Sequence, residues 1–320
     1  MVSRPTAGYR RYRNPQSLGW PSSVRNYGNC GGGDILATAV PGHISSALYD
    51  SRMPLPVPSP DAPAVVTGAS HGIGEALATE LAARGYSLII TARREQVLND
   101  LASRLTGKYQ VAVEVRPADL VDPTQRAKLA DELATRDISI LCANAGNATV
   151  GPVAKLDPAG ERALVQLNAA GAHDLVLAVL PRMIERKTGG ILISGSAAGN
   201  SPIPHNATYA STKAFLNTFS ESLRGELLGS GVHVTLLAPG PVRTGILESV
   251  DTSTAEKLVP DYLWVSAEYA AKASLDALGR NKMRVVPGIP AKAMSVANQY
   301  LPRGIITPIV GRTYKKLAGG

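Results

Sequence analysis

The sequence predicts an α/β domain: a doubly wound parallel sheet of about seven strands with helices on both faces. Two observations carry that reading. Short runs rich in Val, Ile and Leu alternate seven times with helix-length segments between residues 64 and 286. Such alternation implies βαβ crossovers, and therefore parallel strands covered on both sides. In addition, the polar and glycine-bearing motifs fall at the carboxyl ends of the strands, where open α/β sheets bind their ligands.

Each element follows in order. A-V-V-T at 64–67 is a short buried strand, and G-A-S-H-G-I-G is the turn after it. The pattern E-A-L-A-T-E-L-A-A-R is helical and stops at Gly85, a favoured C-cap. S-L-I-I-T at 87–91 is the second strand, with a helix over about 95–105. V-A-V-E-V at 111–115 is the third, with a helix at 124–135. I-S-I-L-C-A at 138–143 is the fourth. One long helix is expected over about 160–187, leading into the strand G-I-L-I-S-G. The helix bearing Tyr209 runs to about 228. V-H-V-T-L-L at 232–237, a helix near 266–278 and the strand M-R-V-V at 283–286 complete the pattern.

The flanks read differently, and three regions are expected: an extension at 1–60, a domain at 61–286 and a tail at 287–320. The extension holds six arginines, no lysine and two aspartates, so it supplies 6 − 2 = +4 of the net +8. Its alternating prolines, M-P-L-P-V-P-S-P, block helix and sheet. A disordered tail, an Arg-rich targeting peptide and a leader translated from a start upstream of Met53 all fit it. No basic face with interleaved aromatics points to nucleic acid. Cys30 and Cys142 have no disulfide or metal spacing, so no metal site is expected and a reducing, cytoplasmic setting is. No run of eighteen apolar residues predicts a transmembrane helix.

The tail stays apolar after the last strand, for example at Tyr300, Ile306, Ile309 and Val310. Lys292, Arg303, Arg312, Lys315 and Lys316 interrupt it, and no acid follows Asp276. Two readings stand: helices packed on the domain or on a second subunit, or a peripheral contact with an anionic membrane.

The motifs carry the chemistry. In T-G-A-S-H-G-I-G at 67–74, Gly68 permits a tight turn, Gly72 lets a phosphate approach the backbone, and Gly74 lets helix pack close to strand. The helix N-terminus then meets a pyrophosphate. The second strand ends T-A-R-R. Arg93 and Arg94 stand where an acid would hold the ribose hydroxyls of the unphosphorylated cofactor, and a guanidinium suits a 2′-phosphate. NADP is therefore expected over NAD.

With these motifs the sequence resembles the short-chain dehydrogenase/reductase family, in its compact single-domain, Rossmann-type branch. T-G-A-S-H-G-I-G, A-D-L with Asp119, N-A-G at 144–146, L-N-A-A-G with Asn168, Ser196, Tyr209 with Lys213, and P-G-P-V-R-T at 239–244 occur in family order. The resemblance implies an NADP-dependent enzyme interconverting an alcohol and a carbonyl, with Asn168, Ser196, Tyr209 and Lys213 catalytic. It implies cofactor contacts from Gly68, Ser70, His71, Gly72, Ile73, Gly74, Arg93, Arg94, Asp119, Asn144, Ala145, Gly146, Tyr209, Lys213, Pro239, Gly240, Val242 and Thr244. Asp119 would bind adenine, Asn144 would steady the sheet, Asn168 would order a water reaching Lys213, and Val242 with Thr244 would hold the nicotinamide carboxamide. A homo-oligomer is expected. The alternative is an idle cofactor sensor on the same fold, which typically lacks the tyrosine or lysine that this chain keeps.

Tyr209 and Lys213 lie one helical turn apart. Reducing a ketone creates an alkoxide that needs a proton, and a phenol can supply it. A free phenol titrates near 10, so a neighbouring ammonium is expected to lower that value by ~2–3. Ser196, thirteen residues before Tyr209, would hydrogen-bond the substrate oxygen, with Ser194 as its rival. His205, just before this helix, would line the substrate mouth.

Overall fold

The computed structural model describes residues 55–243, 260–288, 291–292 and 302–318. Seven parallel strands form one sheet in the order β3-β2-β1-β4-β5-β6-β7. They are β1 (Ala64–Thr67), β2 (Leu88–Thr91), β3 (Val113–Val115), β4 (Ile140–Ala143), β5 (Gly189–Ser194), β6 (Val232–Leu237) and β7 (Arg284–Val285). Helices α1 (Gly72–Ala83), α2 (Glu95–Tyr109), α3 (Pro123–Ala134), α4 (Pro158–Val165), α5 (Gly171–Glu185), α6 (Ala207–Glu226) and α7 (Ala267–Gly279) lie between strands. Helix α8 (Arg303–Leu317) follows the last strand.

Alternate strand residues feed two cores, one on each face of the sheet. Val66, Leu88, Ile90, Cys142, Leu192 and Leu237 pack with α1, α2 and α7. Val65, Ile89, Leu141, Ile191, Ile193 and Val234 pack with α3, α5 and α6. Local signals set the helix starts. Asp122 and Asp157 accept the first free N–H groups of α3 and α4, each with proline at the first helical position. Ser266 does the same for α7. The strand order reverses between β1 and β4, both of which border the crevice where such sheets bind ligands.

Two sequence expectations change. The long helix exists over 158–185 but is interrupted by a π turn at Gln166–Ala170, which carries Asn168. That run is also long and apolar enough to cross a membrane. Its apolar face, with Leu175, Val176, Val179 and Met183, is spent on the sheet instead. Finally, residues 55–60, expected to belong to the extension, lie on the domain. Leu55 fills the space beside Gly190 and Gly279. The Tyr86 hydroxyl donates to Pro56 O at 2.6 Å, and Ser87 Oγ donates to Ser59 O at 2.9 Å.

Candidate active site

The turn after β1 is shaped by its glycines. Gly68 and Gly72 have φ of 68° and 58°, in the left-handed region. A β-carbon on Gly74 would lie 2.1 Å from Gly68 O, so α1 can approach β1 only with glycine there. His71 at the N-cap offers no side-chain bond. The first N–H groups of α1 therefore face outward as an anion cradle. Arg94 reaches over this turn: its Nη2 donates to Ser70 Oγ at 3.3 Å and Ser70 O at 3.4 Å, and lies 3.3 Å from His71 Nδ1. Arg93 is exposed beside it. Asp119 holds its own turn after β3, where Oδ1 accepts from Val121 N–H at 2.9 Å.

The end of β4 is anchored to the end of β1. Thr67 Oγ1 accepts from the N–H groups of Asn144 and Ala145, each at 2.9 Å. Asn144 Nδ2 donates to Thr67 O at 3.2 Å, and its Oδ1 accepts from Ser194 Oγ at 3.0 Å. Asn144 thus clasps three neighbouring strands. Ser194, the rival serine, is engaged in that clasp.

Ser196 lies just beyond β5. It caps the following turn by accepting from Ala198 N–H at 3.1 Å, and its hydroxyl lies near enough to the Tyr209 phenol to lower the phenol's pKa. Lys213 is 5% exposed, donates to Ser194 O at 2.8 Å, and holds Nζ 5.7 Å from the centre of the Tyr209 ring. Asn168 is fully buried. Its Oδ1 accepts from Asn147 N–H at 2.9 Å, while Nδ2 donates to Asn147 O at 2.9 Å and Thr212 Oγ1 at 3.1 Å. The π turn at Gln166–Ala170 carries this residue within the long helix. Gly146 joins the two, since a β-carbon there would meet Asn168 Oδ1 at 3.1 Å and Lys213 Nζ at 3.4 Å.

The electrostatics differ from the sequence expectation. Burial pushes the Tyr209 phenol above its ordinary 10, and the Ser196 hydrogen bond pulls it partly back. Burial also pushes Lys213 down to about 8. The ammonium has a carbonyl rather than a carboxylate for a partner, so desolvation dominates both groups.

Asn217 is a residue the sequence reading missed. Its Nδ2 donates to Ser196 O at 3.0 Å and to Asn200 Oδ1 at 3.1 Å, and its Oδ1 accepts from Ser196 N–H at 3.4 Å. It therefore fixes the backbone of the serine. The available signal was periodicity, because 209, 213 and 217 share one face of α6. Pro239 O accepts from Ala197 N–H at 3.0 Å, which brings the 239–242 stretch, with Gly240 and Val242, to the Ser196 turn. Thr244 lies outside the described residues. Among the described residues no cluster of metal-ligating side chains occurs.

The family model described as short chain dehydrogenase matches residues 62–255. The chain belongs to the short-chain dehydrogenase/reductase family. It is 34% identical to a sulfoacetaldehyde reductase of Chromohalobacter salexigens over 236 residues, covering 70% of this chain and 93% of the relative. A short-chain dehydrogenase from Sphingobium yanoikuyae, solved in complex with NADPH, superposes with a TM-score of 0.69 at 31% identity, over 77% of this chain and 95% of that one. A bulky-bulky ketone specific alcohol dehydrogenase from Comamonas testosteroni gives 0.64 at 28%, over 77% and 94%. As a member of this family, the protein is an NAD(P)-dependent oxidoreductase acting on CH–OH groups by hydride transfer. The residues present fit a dinucleotide: a glycine turn that any side chain would block, an uncapped helix N-terminus and a guanidinium alongside.

Proposed function

We propose that the protein is an NADP-dependent reductase or dehydrogenase of a small carbonyl or alcohol, in which Tyr209 passes the proton. The observation that carries this is the convergence of Tyr209, Ser196, Lys213 and Asn168 at the carboxyl ends of β4 and β5. Bound cofactor supplies or accepts the hydride. Tyr209, still protonated because burial holds its phenol up, donates to the forming alkoxide. Ser196 donates a hydrogen bond to the same oxygen and stabilises its charge. Lys213 brings positive charge to the phenolate left behind, and Asn168 keeps the 147 loop and α6 in register so that this geometry persists. The first turn of α1 binds the pyrophosphate through Gly72, Ile73 and Gly74. Arg94 and Arg93 take the 2′-phosphate, and Asp119, Asn144, Ala145 and Gly146 line the adenosine side. Pro239, Gly240 and Val242 form the nicotinamide side.

Retention of both tyrosine and lysine argues against the idle-sensor alternative. Two relatives, named for sulfoacetaldehyde and for bulky ketones, differ widely in substrate size, so the family does not select a substrate for this chain. We take the protein as cytoplasmic, with a dispensable extension before residue 55. We also take it as a homo-oligomer, supported by Leu177 and Ile184 on α5 and Phe215 on α6, which are 52%, 41% and 44% exposed. The tail reading we adopt is packing on the domain, since α8 turns Ile306 inward. The test compares kcat/KM with NADPH and NADH, and adds Tyr209→Phe. A preference for NADPH with Tyr209→Phe below a tenth of wild-type turnover supports the reading. Equal use of both cofactors removes the role given to the arginines, and an active Tyr209→Phe removes the proton donor.

A further inference from the structure

Helix α8 is seated on the segment that leads into the catalytic helix. A β-carbon on Gly311 would come within 3.0 Å of Pro204 Cγ, so the helix backbone touches the residue just before His205. Ile306, Val310 and Tyr314 recur every four residues and share the inward face. Arg312, Lys315 and Lys316 lie on the outward face. Tyr314 follows Gly311 by three residues and so projects from the side that meets Pro204.

Tyr314 and Tyr209 are both half-buried, and they are close enough to sense each other. Burial pushes the Tyr314 phenol up to about 12, and the Tyr209 charge adds to the rise. Tyr314 therefore remains a neutral donor wherever the enzyme works. Its hydroxyl makes no hydrogen bond to the protein among the described residues. His205 Nδ1 is buried without a hydrogen-bond partner, on a residue held at φ 65° with its carbonyl tied to Gly151 N–H at 2.7 Å. The Tyr314 hydroxyl and His205 Nδ1 thus lack protein partners on the two segments that meet at Pro204, whereas the Asn168 amide bonds Asn147 and Thr212. A half-buried hydroxyl with no protein partner is available to bond a ligand.

We propose that Tyr314, carried by α8, is a specificity-determining residue whose hydroxyl donates to a second oxygen of the substrate, close to the reacting carbonyl. The site then favours carbonyl compounds bearing such an oxygen over simple ketones of the same size. This rests on the reading of Tyr209 as the proton donor and names the substrate class that the same site takes. Because the ring of Tyr314 also packs, Tyr314→Phe removes the donor while keeping the fold.

The test uses the full chain with NADPH and two probes on one skeleton, propiophenone and 1-phenyl-1,2-propanedione. Tyr314→Phe is expected to lower kcat/KM for the dione about tenfold more than for propiophenone, mainly through KM, as the loss of one oriented hydrogen bond predicts. Tyr314→Gln, which returns a donor, is expected to recover part of that ratio. The greater intrinsic reactivity of the dione cancels, because wild type and variant are compared on the same pair. An unchanged ratio in Tyr314→Phe, an equal fall for both probes, or a wild type inert to the dione overturns the proposal. Tyr209→Phe is run alongside. If it keeps turnover, the proton-donor reading falls, and the probe ratio still judges Tyr314 separately.

Discussion

Replacing Lys213 with methionine should stabilise the apo protein at neutral pH while removing its activity. The lysine is 5% exposed and its charge has no carboxylate partner among the described residues, so burial lowers its pKa from 10.5 to about 8. At about 1.4 kcal/mol per tenfold, the gap corresponds to about 3 kcal/mol by which the folded state disfavours the ammonium. Methionine fills similar space, and the lost bond to Ser194 O costs about 1 kcal/mol. A net gain of about 2 kcal/mol remains, or roughly 4–8 °C in melting temperature for a domain of this size. The pH dependence has a definite sign. Below pH 8 both folded and unfolded chains carry the proton, and wild type bears the full penalty. Between 8 and 10.5 the unfolded chain binds more protons than the folded one, so wild-type stability rises with pH. The advantage of Lys213→Met should therefore be greatest below pH 8 and vanish by 10.5. Thermal melts of apo wild type and variant at several pH values between 6.5 and 10.5 measure this. A variant less stable than wild type at pH 7, or a difference independent of pH, would show that the buried ammonium is not the cost inferred. A buried charge retained against stability is what a catalytic requirement explains.

Gly74→Ala should weaken NADPH binding by more than about tenfold in a fluorescence titration, because the new methyl group meets backbone at 2.1 Å. Gly107→Ala in α2 is the matched control: nothing lies within 4 Å of its added carbon, and a gain of about 0.5–1 kcal/mol is expected in a melt. A chain starting at Met53 should keep wild-type turnover. A chain starting at Asp61 should lose about 2 kcal/mol, since Leu55 and the acceptors of Tyr86 and Ser87 go with it. Equal melting temperatures for the two truncations would contradict the packing assigned to residues 55–60. Asn168→Ala should lower kcat by at least tenfold and destabilise by about 2–3 kcal/mol, because the N–H and C=O of Asn147 lose a buried partner.

The order of elements, the parallel sheet and the motif positions could be read from the amino-acid sequence because each depends on local chemistry. Apolar runs make buried strands wherever they pack, and Gly68, Gly72 and Gly74 dictate a turn through backbone freedom and clearance that belong to glycine alone. Tyr209 and Lys213 share a face because a helix repeats every 3.6 residues. What the sequence could not decide depends on residues far apart in the chain. The spacing to Tyr209 already favoured Ser196, but it could not show that its rival Ser194 is drawn into a clasp with Asn144, fifty residues upstream. Asn168 turns inward through a π turn that no periodicity announces. The charges of Tyr209 and Lys213 follow burial rather than sequence spacing, so the phenol rises where proximity to an ammonium alone argued that it falls. Tyr314 stands a hundred and five residues from Tyr209 (314 − 209), and only packing of α8 on Pro204 brings the second phenol beside the first. Local propensity is written in a few neighbouring residues, whereas desolvation and contact across the fold exist only after the chain has closed on itself.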